Sequence, residues 1–484
     1  MRLVAAFLAG SVVTLSATGD ALAQAESAKK ARQLRVEAAS IKGDFDQMLE
    51  RRVIRVAVPY SRTLYFVDKG AERGITADLM RDFEQYLNKK YAKQLGKRPL
   101  TVVLTATTRD RLLPAVVGGT ADIAGGNITA TAKRMETVDF VTSVTPVKEL
   151  IVTGPKSPQI ATLEDLSGKT LHVRKTTSYY ESVLALNERL AKAGKKPVNI
   201  ASIPDALEDE DKLEMLNAGL FEFVVVDDWL AKMWVPILPK IKVREDLVLR
   251  AEGRIGWAMR KNSPKLAAEA TEFYNKMVKS SAASRVAKYH KRIKQIANNT
   301  DGPEWQRFEQ TVKLFEKYGA KYGFDPLLLS AQGFQESRLN QEARSHVGAI
   351  GVMQIMPATG KGLGVGDIAT VEPNVHGGAK YMDQLMTKYF TDAKFTEQDR
   401  TLFAFASYNA GPGNISKMRK EAVKRKLDPD KWFNNVEIVV SEKIGMETTT
   451  YVRNIFKYYV AYKLTLEAQE ATRKARQQIE APKQ

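Results

Sequence analysis

Apolar and polar residues follow different periods in the two halves of this chain. Between about Arg51 and Lys261, short β-rich runs alternate with amphipathic helical stretches. The runs are VIRVAVPY, LTVVLTAT, ADIAGG, ELIVTG, TLHVRK, FEFVVVDDW and IGWAMRK. Between the first two of them, apolar side chains recur at helical spacing at Leu79, Phe83, Tyr86 and Leu87. Alternation of strands with helices predicts an α/β unit over this half.

The second half, from Asp301 onward, has long helical stretches and few β-branched runs. Turn-forming residues such as Asp325-Pro326 separate these stretches. The pattern predicts an all-α unit. The polar and basic segment between the halves, SSAASRVAKYHKRIKQIANNTDGP, ends in turn formers and predicts a connector.

The N-terminal stretch MRLVAAFLAGSVVTLSATGDALAQ has the layout of a secretory signal peptide. Arg2 precedes an apolar run from Leu3 to Leu15, and small residues stand at Ala21 and Ala23. This run is shorter than the roughly 20 residues that a membrane-spanning helix needs. We therefore expect an exported, periplasmic protein that begins near Gln24, with an uncleaved N-terminal anchor as the alternative. Peripheral association with a membrane, the outer membrane included, is compatible with either form.

These patterns divide the chain into six predicted segments. They are a signal peptide (1–23), an N-terminal helical segment (24–48), an α/β domain (49–277), a linker (278–302), an all-α domain (303–466) and a charged tail that frays (467–484).

Composition narrows the functional classes. With 484 residues and 44% hydrophobic residues, the chain is long enough for two or three domains that each bury a core. It has no cysteine, and its four histidines are scattered without ligand-like spacing, so we expect neither a metal site nor a cofactor. The net charge of +18 predicts an acidic partner. Export argues against nucleic acid and leaves anionic lipid or an anionic cell-wall polymer.

Several motifs in the first half resemble the type II periplasmic solute-binding domains, which bind amino acids between two lobes. The motifs are DFDQMLERRVIRVAVPY, GITADLM, ITATAKRMETVDF and DLSGKTLHV, and the resemblance covers most of the segment from Gly43 to Met277. It implies a two-lobed α/β fold. A buried carboxylate ligand needs a fixed cation with a two-pronged donor, and Arg134 matches that position.

The same resemblance implies a set of ligand-binding residues. Thr131 and Arg134 would hold a ligand carboxylate, and Asp227, which follows FVVV at a strand end, would face its ammonium group. A surface arginine and a structural aspartate are the alternatives. The expected ligand is a small peptide or an amino acid. The segment DFVTSVTPVKE lacks the Ser-x-Pro-Tyr pattern of many amino-acid binders, so its identity stays open.

Glu336 is the candidate catalytic residue of the second half. Asp325-Pro326 is a typical helix start, and the apolar run LLLSAQGF follows it. Glu336 comes ten residues after Pro326, near the expected helix end. Apolar surroundings and the negative end of a helix dipole both raise the pKa of a carboxyl group. A carboxyl that stays protonated near neutral pH suits a general acid that cleaves a glycosidic bond.

The loop GAIGVMQIMPATG after this helix predicts a wall around an extended sugar chain. Gly348 and Gly351 would let the backbone approach a ligand, and Gln354 would pair with an amide. Met353 and Met356 would offer adaptable apolar contacts, although methionines at this spacing also occur in cores.

Four motifs in order resemble the soluble lytic transglycosylase family. They are Glu336-Ser337, the pattern A-x-S-x-x-G-A-x-G-x-M-Q-x-x-P-x-T that begins at Ala343, ASYNAG from Ala406, and ETTTYV from Glu447. The resemblance implies a lysozyme-like α fold and a lyase that cuts the β-1,4 bond between N-acetylmuramic acid and N-acetylglucosamine in peptidoglycan. Glu336 would serve first as acid and then as base, giving a 1,6-anhydro product. The implied substrate-binding residues are Ser345, Met353, Gln354, Tyr408, Asn409, Glu447 and Tyr451.

Two other functions remain open from the sequence. A lysozyme-like hydrolase would cut the same bond with water and would need a second carboxylate or a positioned water. Glu342 is the nearest acid in sequence, and we expect it to face solvent. A catalytically inactive periplasmic solute receptor is the alternative from another class, and the intact Glu336 argues against it.

Overall fold

The computed structural model describes residue 32 and residues 40–68, 70–278, 289 and 303–480. The predicted signal peptide lies outside these residues, as does most of the predicted linker. In the segment 24–48, the described helix begins at Phe45, where the Asp44 side chain caps the first turn, and Arg32 pairs with Phe324 in an isolated β-bridge.

The strands of the described residues all belong to the first half. They are β1 (Val53–Pro59), β2 (Phe66–Asp68), β3 (Ala71–Arg73), β4 (Thr101–Thr107), β5 (Ile123–Thr129), β6 (Val138–Thr142), β7 (Val147–Thr153), β8 (Thr170–Val173), β9 (Asn199–Ser202), β10 (Phe223–Asp227), β11 (Lys242–Gly253) and β12 (Ile255–Arg260).

Helices surround these strands and form the whole second half. They are α1 (Phe45–Arg51), α2 (Ile75–Lys90), α3 (Ala92–Leu95), α4 (Arg109–Gly118), α5 (Ala132–Met135), α6 (Ser178–Lys192), α7 (Asp209–Asn217), α8 (Asp228–Trp234), α9 (Pro264–Phe273), α10 (Pro303–Tyr322), α11 (Pro326–Ser337), α12 (Pro357–Leu363), α13 (Val371–Thr387), α14 (Glu397–Ala410), α15 (Pro412–Lys424), α16 (Glu437–Lys443) and α17 (Met446–Glu480).

The first half consists of two α/β lobes. One sheet has the strand order β4-β1-β5-β12-β6, and the other has the order β11-β7-β10-β8-β9. The chain passes from the first lobe to the second between β6 and β7 and returns between β11 and β12. This arrangement confirms the predicted two-lobed α/β fold.

Each predicted β-rich run coincides with a strand, whereas β2, β3, β6, β9 and β11 were missed. The largest miss, β11, carries KVREDLVLRAEG and lies at an edge of the second sheet. An edge strand tolerates charged side chains because one side faces solvent. A search for apolar runs therefore does not detect β11, because many of its residues are charged.

The second half is all-α, as predicted. Its core is built from apolar side chains of α10 to α17 and is continuous with the core of the first lobe. No helix within the described ranges combines the length and apolar character that crossing a bilayer requires.

The last helix, α17, does not stop at the predicted tail boundary. It spans 35 residues from Met446 to Glu480, so Glu467 lies inside it. Ala468, Ala471 and Ala475 pack against the apolar core of the second lobe. With this partner, residues 467–480 continue as helix where the sequence predicted fraying.

Contacts along α17 join the two halves. The Tyr458 hydroxyl donates to the Gly70 carbonyl at 3.1 Å, and the Thr465 hydroxyl lies 3.1 Å from the Tyr60 hydroxyl. A single helix thus touches the all-α domain, the first lobe and the second lobe.

Candidate active site and ligand cleft

Helix α11 carries the candidate catalytic residue and is fixed firmly at its start. Asp325 caps it by accepting a hydrogen bond from the Leu327 N–H at 2.9 Å, and Pro326 occupies the first helical position. The second oxygen of Asp325 accepts from the Tyr459 hydroxyl at 2.8 Å. The predicted helix start is confirmed, and its cap is tied to α17.

Glu336 is the penultimate residue of α11, and the helix ends at Arg338 in the left-handed conformation, with φ of 55°. The Glu336 side chain is half-buried, and its Oε1 accepts a hydrogen bond from the Tyr451 hydroxyl at 2.5 Å. Burial raises the pKa of Glu336 to about 7, while the bond from Tyr451 acts in the opposite direction. Of the two causes predicted from the sequence, burial is the one that raises this pKa. The carboxyl group is therefore poised to give or take a proton near neutral pH.

Two tyrosines stand beside this carboxyl group. Tyr451 is 5% exposed, and the Tyr408 hydroxyl donates to the Met353 carbonyl at 2.8 Å. The pKa values of both phenols lie well above 10, first because of burial and second because of the nearby Glu336 charge. Both hydroxyl groups therefore stay neutral and act as donors.

The loop after α11 is held by its own backbone and by α13. The Ser345 hydroxyl accepts from the Ala349 N–H at 2.9 Å, and the Gln354 amide donates to the Gly351 carbonyl at 2.8 Å. Gly351 has a φ of 78°, and a Cβ there would lie 2.5 Å from the Asn374 side chain. The tight packing explains why this position of the loop requires glycine.

Asn374 is a structural residue that the sequence analysis missed. It is fully buried on α13, accepts from the Met353 N–H at 2.8 Å, and donates to the carbonyls of Ile350 and Ile368. It thereby satisfies backbone groups of the loop that would otherwise be buried without partners. The signal in the sequence was a single amide on an otherwise apolar helix face.

The structure corrects the expectation for Met353. Its side chain is 0% exposed and packs against the glycines at 333 and 378, where an added Cβ would lie 3.2 Å and 2.6 Å from Met353 atoms. Met353 therefore belongs to the core, because the loop turns its side chain inward. Only its backbone carbonyl reaches the site, through the bond from Tyr408. Met356, by contrast, is 41% exposed.

The remaining predicted substrate-binding residues lie at the surface. Asn409 is exposed, and its carboxamide oxygen accepts from the Thr448 hydroxyl at 2.7 Å. Glu447 and Glu342 are also exposed, and neither carboxylate forms an ion pair within the described ranges. No charged group among the described residues shifts the pKa of Glu336. Glu336 is thus a solitary carboxyl group in an apolar setting.

A second candidate site lies between the two lobes of the first half. It is a cavity of about 240 Å³ whose lining includes Arg109, Thr129, Arg134, Asp209 and Asp227. Arg109 and Arg134 come from the first lobe, whereas Asp209 and Asp227 come from the second; Asp110 of the first lobe adds a third carboxylate to the lining. The cleft can therefore receive a ligand that carries both charges.

Arg134 crosses the cleft, as a ligand clamp would. Its guanidinium donates to the Thr129 carbonyl of the first lobe and to the Thr176 carbonyl of the second lobe, each at 3.0 Å. It also lies 3.4 Å from the Glu181 carboxylate. Thr131 does not line the cavity. It is the N-cap residue of α5, and its hydroxyl accepts a hydrogen bond from the Arg134 backbone N–H at 3.4 Å.

Asp227 ends β10 and is 4% exposed. Burial, followed by the charges of Glu149 and Asp209, raises its pKa to about 7. The Trp229 indole N–H donates to one carboxylate oxygen at 3.3 Å, whereas the other oxygen is buried without a hydrogen-bond partner among the described residues. This free oxygen at the cavity lining is suited to a cationic ligand group.

Sequence comparison assigns families to both halves. Residues 313–431 match the family described as Transglycosylase SLT domain, and residues 54–292 match the bacterial extracellular solute-binding proteins, family 3. The two matches follow one another along the chain and fall in the α/β half and the all-α half, respectively. The SLT match includes Glu336 and Tyr408 but ends before α17, which supplies Tyr451.

Curated relatives are similar to this chain along most of its length. A protein named Membrane-bound lytic murein transglycosylase F from Desulfosudis oleivorans is 25% identical over 403 residues, which cover 78% of this chain and 84% of the relative. Proteins of the same name from Pseudomonas putida and Pseudomonas fluorescens are 26% and 27% identical, and each match covers 86% of this chain and 85% of the relative. The similarity therefore extends over both domains.

Solved structures of solute-binding proteins match about half of the chain. Holo ArgBP from T. maritima is 20% identical with a TM-score of 0.39, covering 50% of this chain and 98% of that protein. An amino acid ABC transporter substrate-binding protein from Streptococcus pneumoniae, bound to L-arginine, is 18% identical with a TM-score of 0.40, covering 51% of this chain and 97% of that protein.

Proposed function

We propose that this protein is a peptidoglycan lytic transglycosylase whose activity is modulated by a ligand of its solute-binding domain. The observation that carries the activity is Glu336, a solitary half-buried carboxyl group with a pKa of about 7 inside the SLT domain. Glycosidases that use water employ two carboxyl groups, one as acid and one as base or nucleophile. A site with one carboxyl group favours a reaction that needs no activated water.

Glu336 alone serves both halves of this reaction. Protonated Glu336 gives its proton to the glycosidic oxygen as the bond from C1 of N-acetylmuramic acid breaks and N-acetylglucosamine leaves. The resulting carboxylate then takes the proton of the muramic C6 hydroxyl, whose oxygen attacks C1. The 1,6-anhydro ring forms, Glu336 regains its proton, and no water is consumed. A pKa near 7 serves both directions of proton transfer.

Neighbouring residues position the carboxyl group and the sugar. Tyr451 donates to Glu336 and so stabilises the carboxylate that forms after the first step. Tyr408 braces the loop through the Met353 carbonyl. Ser345 and Gln354 would contact acetamido groups of the glycan.

Asn409 and Glu447 lie at the exposed margin, where they would contact sugars further along the strand. The Met353 side chain is left out of this set because it is buried in the core.

The solute-binding domain takes a small peptide or an amino acid in its cleft. The Arg134 guanidinium donates to the ligand carboxylate through the N–H groups that its bonds to Thr129 and Thr176 leave over, and the unpartnered oxygen of Asp227 accepts from an ammonium group. Thr131 supports Arg134 by capping the short helix that carries it. Such a zwitterionic ligand is chemically similar to the peptide part of peptidoglycan.

The protein acts in the cell envelope, where its substrate lies, and we place it in the periplasm. The signal-peptide layout of residues 1–23 and the name of the relatives support this location. Association with a membrane, the outer membrane included, would be peripheral.

Substitution of Glu336 tests the proposal. Release of soluble fragments from purified peptidoglycan is followed with the wild-type protein and with Glu336→Gln and Glu342→Gln. Glu336→Gln keeps the size of the side chain but removes the transferable proton, so release should stop. Glu342→Gln changes an exposed acid of the same region and should retain near-normal release. Turnover of Glu336→Gln within about tenfold of the wild type would refute the assignment.

A further inference from the structure

Gln332 is a buried amide that the mechanism above does not use. It lies on α11 one helical turn before Glu336, so the two side chains share a face of the helix. Its side chain is 0% exposed, and neither its amide nitrogen nor its oxygen has a hydrogen-bond partner of good geometry among the described residues. A buried amide in this state costs stability and calls for an explanation.

The neighbour of Gln332 is the Tyr451 hydroxyl. Burial and the charge of Glu336 raise the pKa of Tyr451. The Gln332 amide acts on the Tyr451 oxygen as a hydrogen-bond donor and lowers this pKa. No hydrogen bond of good geometry joins the two groups in this structure.

We propose that Gln332 is a positioning residue for the catalytic pair, holding the Tyr451 oxygen through its amide N–H so that the tyrosine proton points at Glu336. A phenol oxygen accepts hydrogen bonds while its single proton is donated elsewhere. With the Gln332 amide on the oxygen, the Tyr451 proton is left for the Glu336 carboxylate. A donor on the oxygen also polarises the O–H bond and strengthens the bond to Glu336.

The proposed role of Gln332 affects one step of the reaction, and it presupposes the proposed transglycosylase function. The negative charge on Glu336 is greatest after it has protonated the leaving oxygen. A stronger bond from Tyr451 stabilises that carboxylate, whereas substrate binding leaves the carboxyl group neutral. Loss of Gln332 should therefore lower kcat and leave KM nearly unchanged.

The test compares Gln332→Leu with Gln335→Leu, a change of a neighbouring glutamine on the same helix. Gln332→Leu replaces an unpartnered buried amide with an apolar side chain of similar size, so the midpoint of thermal unfolding should not fall. We expect kcat on purified peptidoglycan to fall about tenfold, which corresponds to ~1.4 kcal/mol. Gln335→Leu should keep the wild-type kcat.

A second readout does not depend on turnover. The pKa of Glu336 is read from the carboxyl carbon shifts of glutamate-labelled protein, with Glu336→Gln assigning the signal. Because the bond from Tyr451 lowers this pKa, Gln332→Leu should raise it. If the wild-type protein yields no anhydro products, the proposed reaction fails, yet this titration still decides whether Gln332 acts on the pair.

A double-mutant cycle with Tyr451→Phe completes the test. Since Gln332 acts through the tyrosine hydroxyl, Gln332→Leu should have no further effect on kcat or on the pKa of Glu336 in the Tyr451→Phe background. Equal effects in both backgrounds, or an unchanged pKa of Glu336 in Gln332→Leu, would overturn the proposal.

Discussion

At the scale of single residues, the chemistry depends on one carboxyl group held where water is scarce. Glu336 lies at the end of an apolar helix, and burial alone raises its pKa to about 7. The sequence predicted this because the run before Glu336 is apolar. It could not predict the bond from Tyr451, which lies 115 residues away along the chain.

The raised pKa of Glu336 makes stability depend on pH. In the unfolded chain a glutamate has a pKa of about 4.3, so the native state binds this proton more tightly. Its stabilising contribution is complete below about pH 4 and is lost as the pH rises through about 7. Glu336→Gln does not titrate. Its thermal midpoint should therefore exceed that of the wild type by a few degrees at about pH 8 and match it at about pH 4.5. An equal difference at both pH values would contradict the burial of Glu336.

The placement of Met353 in the core leads to a second prediction. Met353→Ala should lower the free energy of unfolding by about 2–5 kcal/mol, because it leaves a cavity. Met353→Leu keeps the volume and should cost less than about 1.5 kcal/mol. Met356→Ala, at an exposed position, is the control and should stay within about 0.5 kcal/mol. Chemical denaturation measures all three. A small effect of Met353→Ala with a raised KM would restore the role predicted from the sequence.

Residues such as Met353 and Asn374 show where sequence reasoning stops. A methionine pattern on a loop is the same whether the side chains face the ligand or the core, and only the path of the loop decides. Asn374 acts by satisfying loop carbonyls that are distant along the chain. Neither fact is encoded in local periodicity.

At the scale of elements, α17 is the feature that the sequence described least well. Its charged residues after Glu467 predicted a frayed tail, yet small alanines on one face pack against the second lobe. Helix α11, in contrast, was predicted with its correct start because Asp325 and Pro326 form a local signal. Local signals predict where elements begin, whereas tertiary partners decide how far they continue.

A substitution in this face of α17 tests its packing. Ala471→Asp places a carboxylate against the apolar core of the second lobe and should lower the free energy of unfolding by about 1–3 kcal/mol. Arg473→Ala changes an exposed side chain of the same segment and should cost less than about 1 kcal/mol. Urea denaturation gives both values. Equal small effects would mean that the segment frays, as the sequence predicted.

At the scale of the whole molecule, one helix connects the candidate catalytic residue to both lobes of the first half. Tyr451 near the start of α17 holds Glu336, and its later residues contact both lobes of the solute-binding domain. A ligand can change activity only if it binds two arrangements of the lobes with different affinity. Two-lobed domains supply an open and a closed arrangement. A movement between the lobes would thus act on the helix that carries Tyr451.

Replacing Arg134 by alanine should abolish the effect of the ligand on the rate of glycan release. Stem peptides freed from peptidoglycan are titrated against the wild-type protein, Arg134→Ala and Arg111→Ala, with the release of soluble glycan as readout. We expect the peptides to change the rate of the wild type and of Arg111→Ala, whose side chain is exposed, but not that of Arg134→Ala. An identical response in all three proteins would refute the ligand site at Arg134.

The central claim is that Glu336 cleaves the glycan without water, and the mass of the products tests it most directly. Purified peptidoglycan is digested with the purified protein, and the soluble fragments are analysed by mass spectrometry. Non-hydrolytic cleavage predicts fragments that end in 1,6-anhydro-N-acetylmuramic acid, each lighter by one water than the hydrolysis product. They should be absent with Glu336→Gln. Fragments with reducing ends would instead show a hydrolase and contradict the single-carboxyl mechanism.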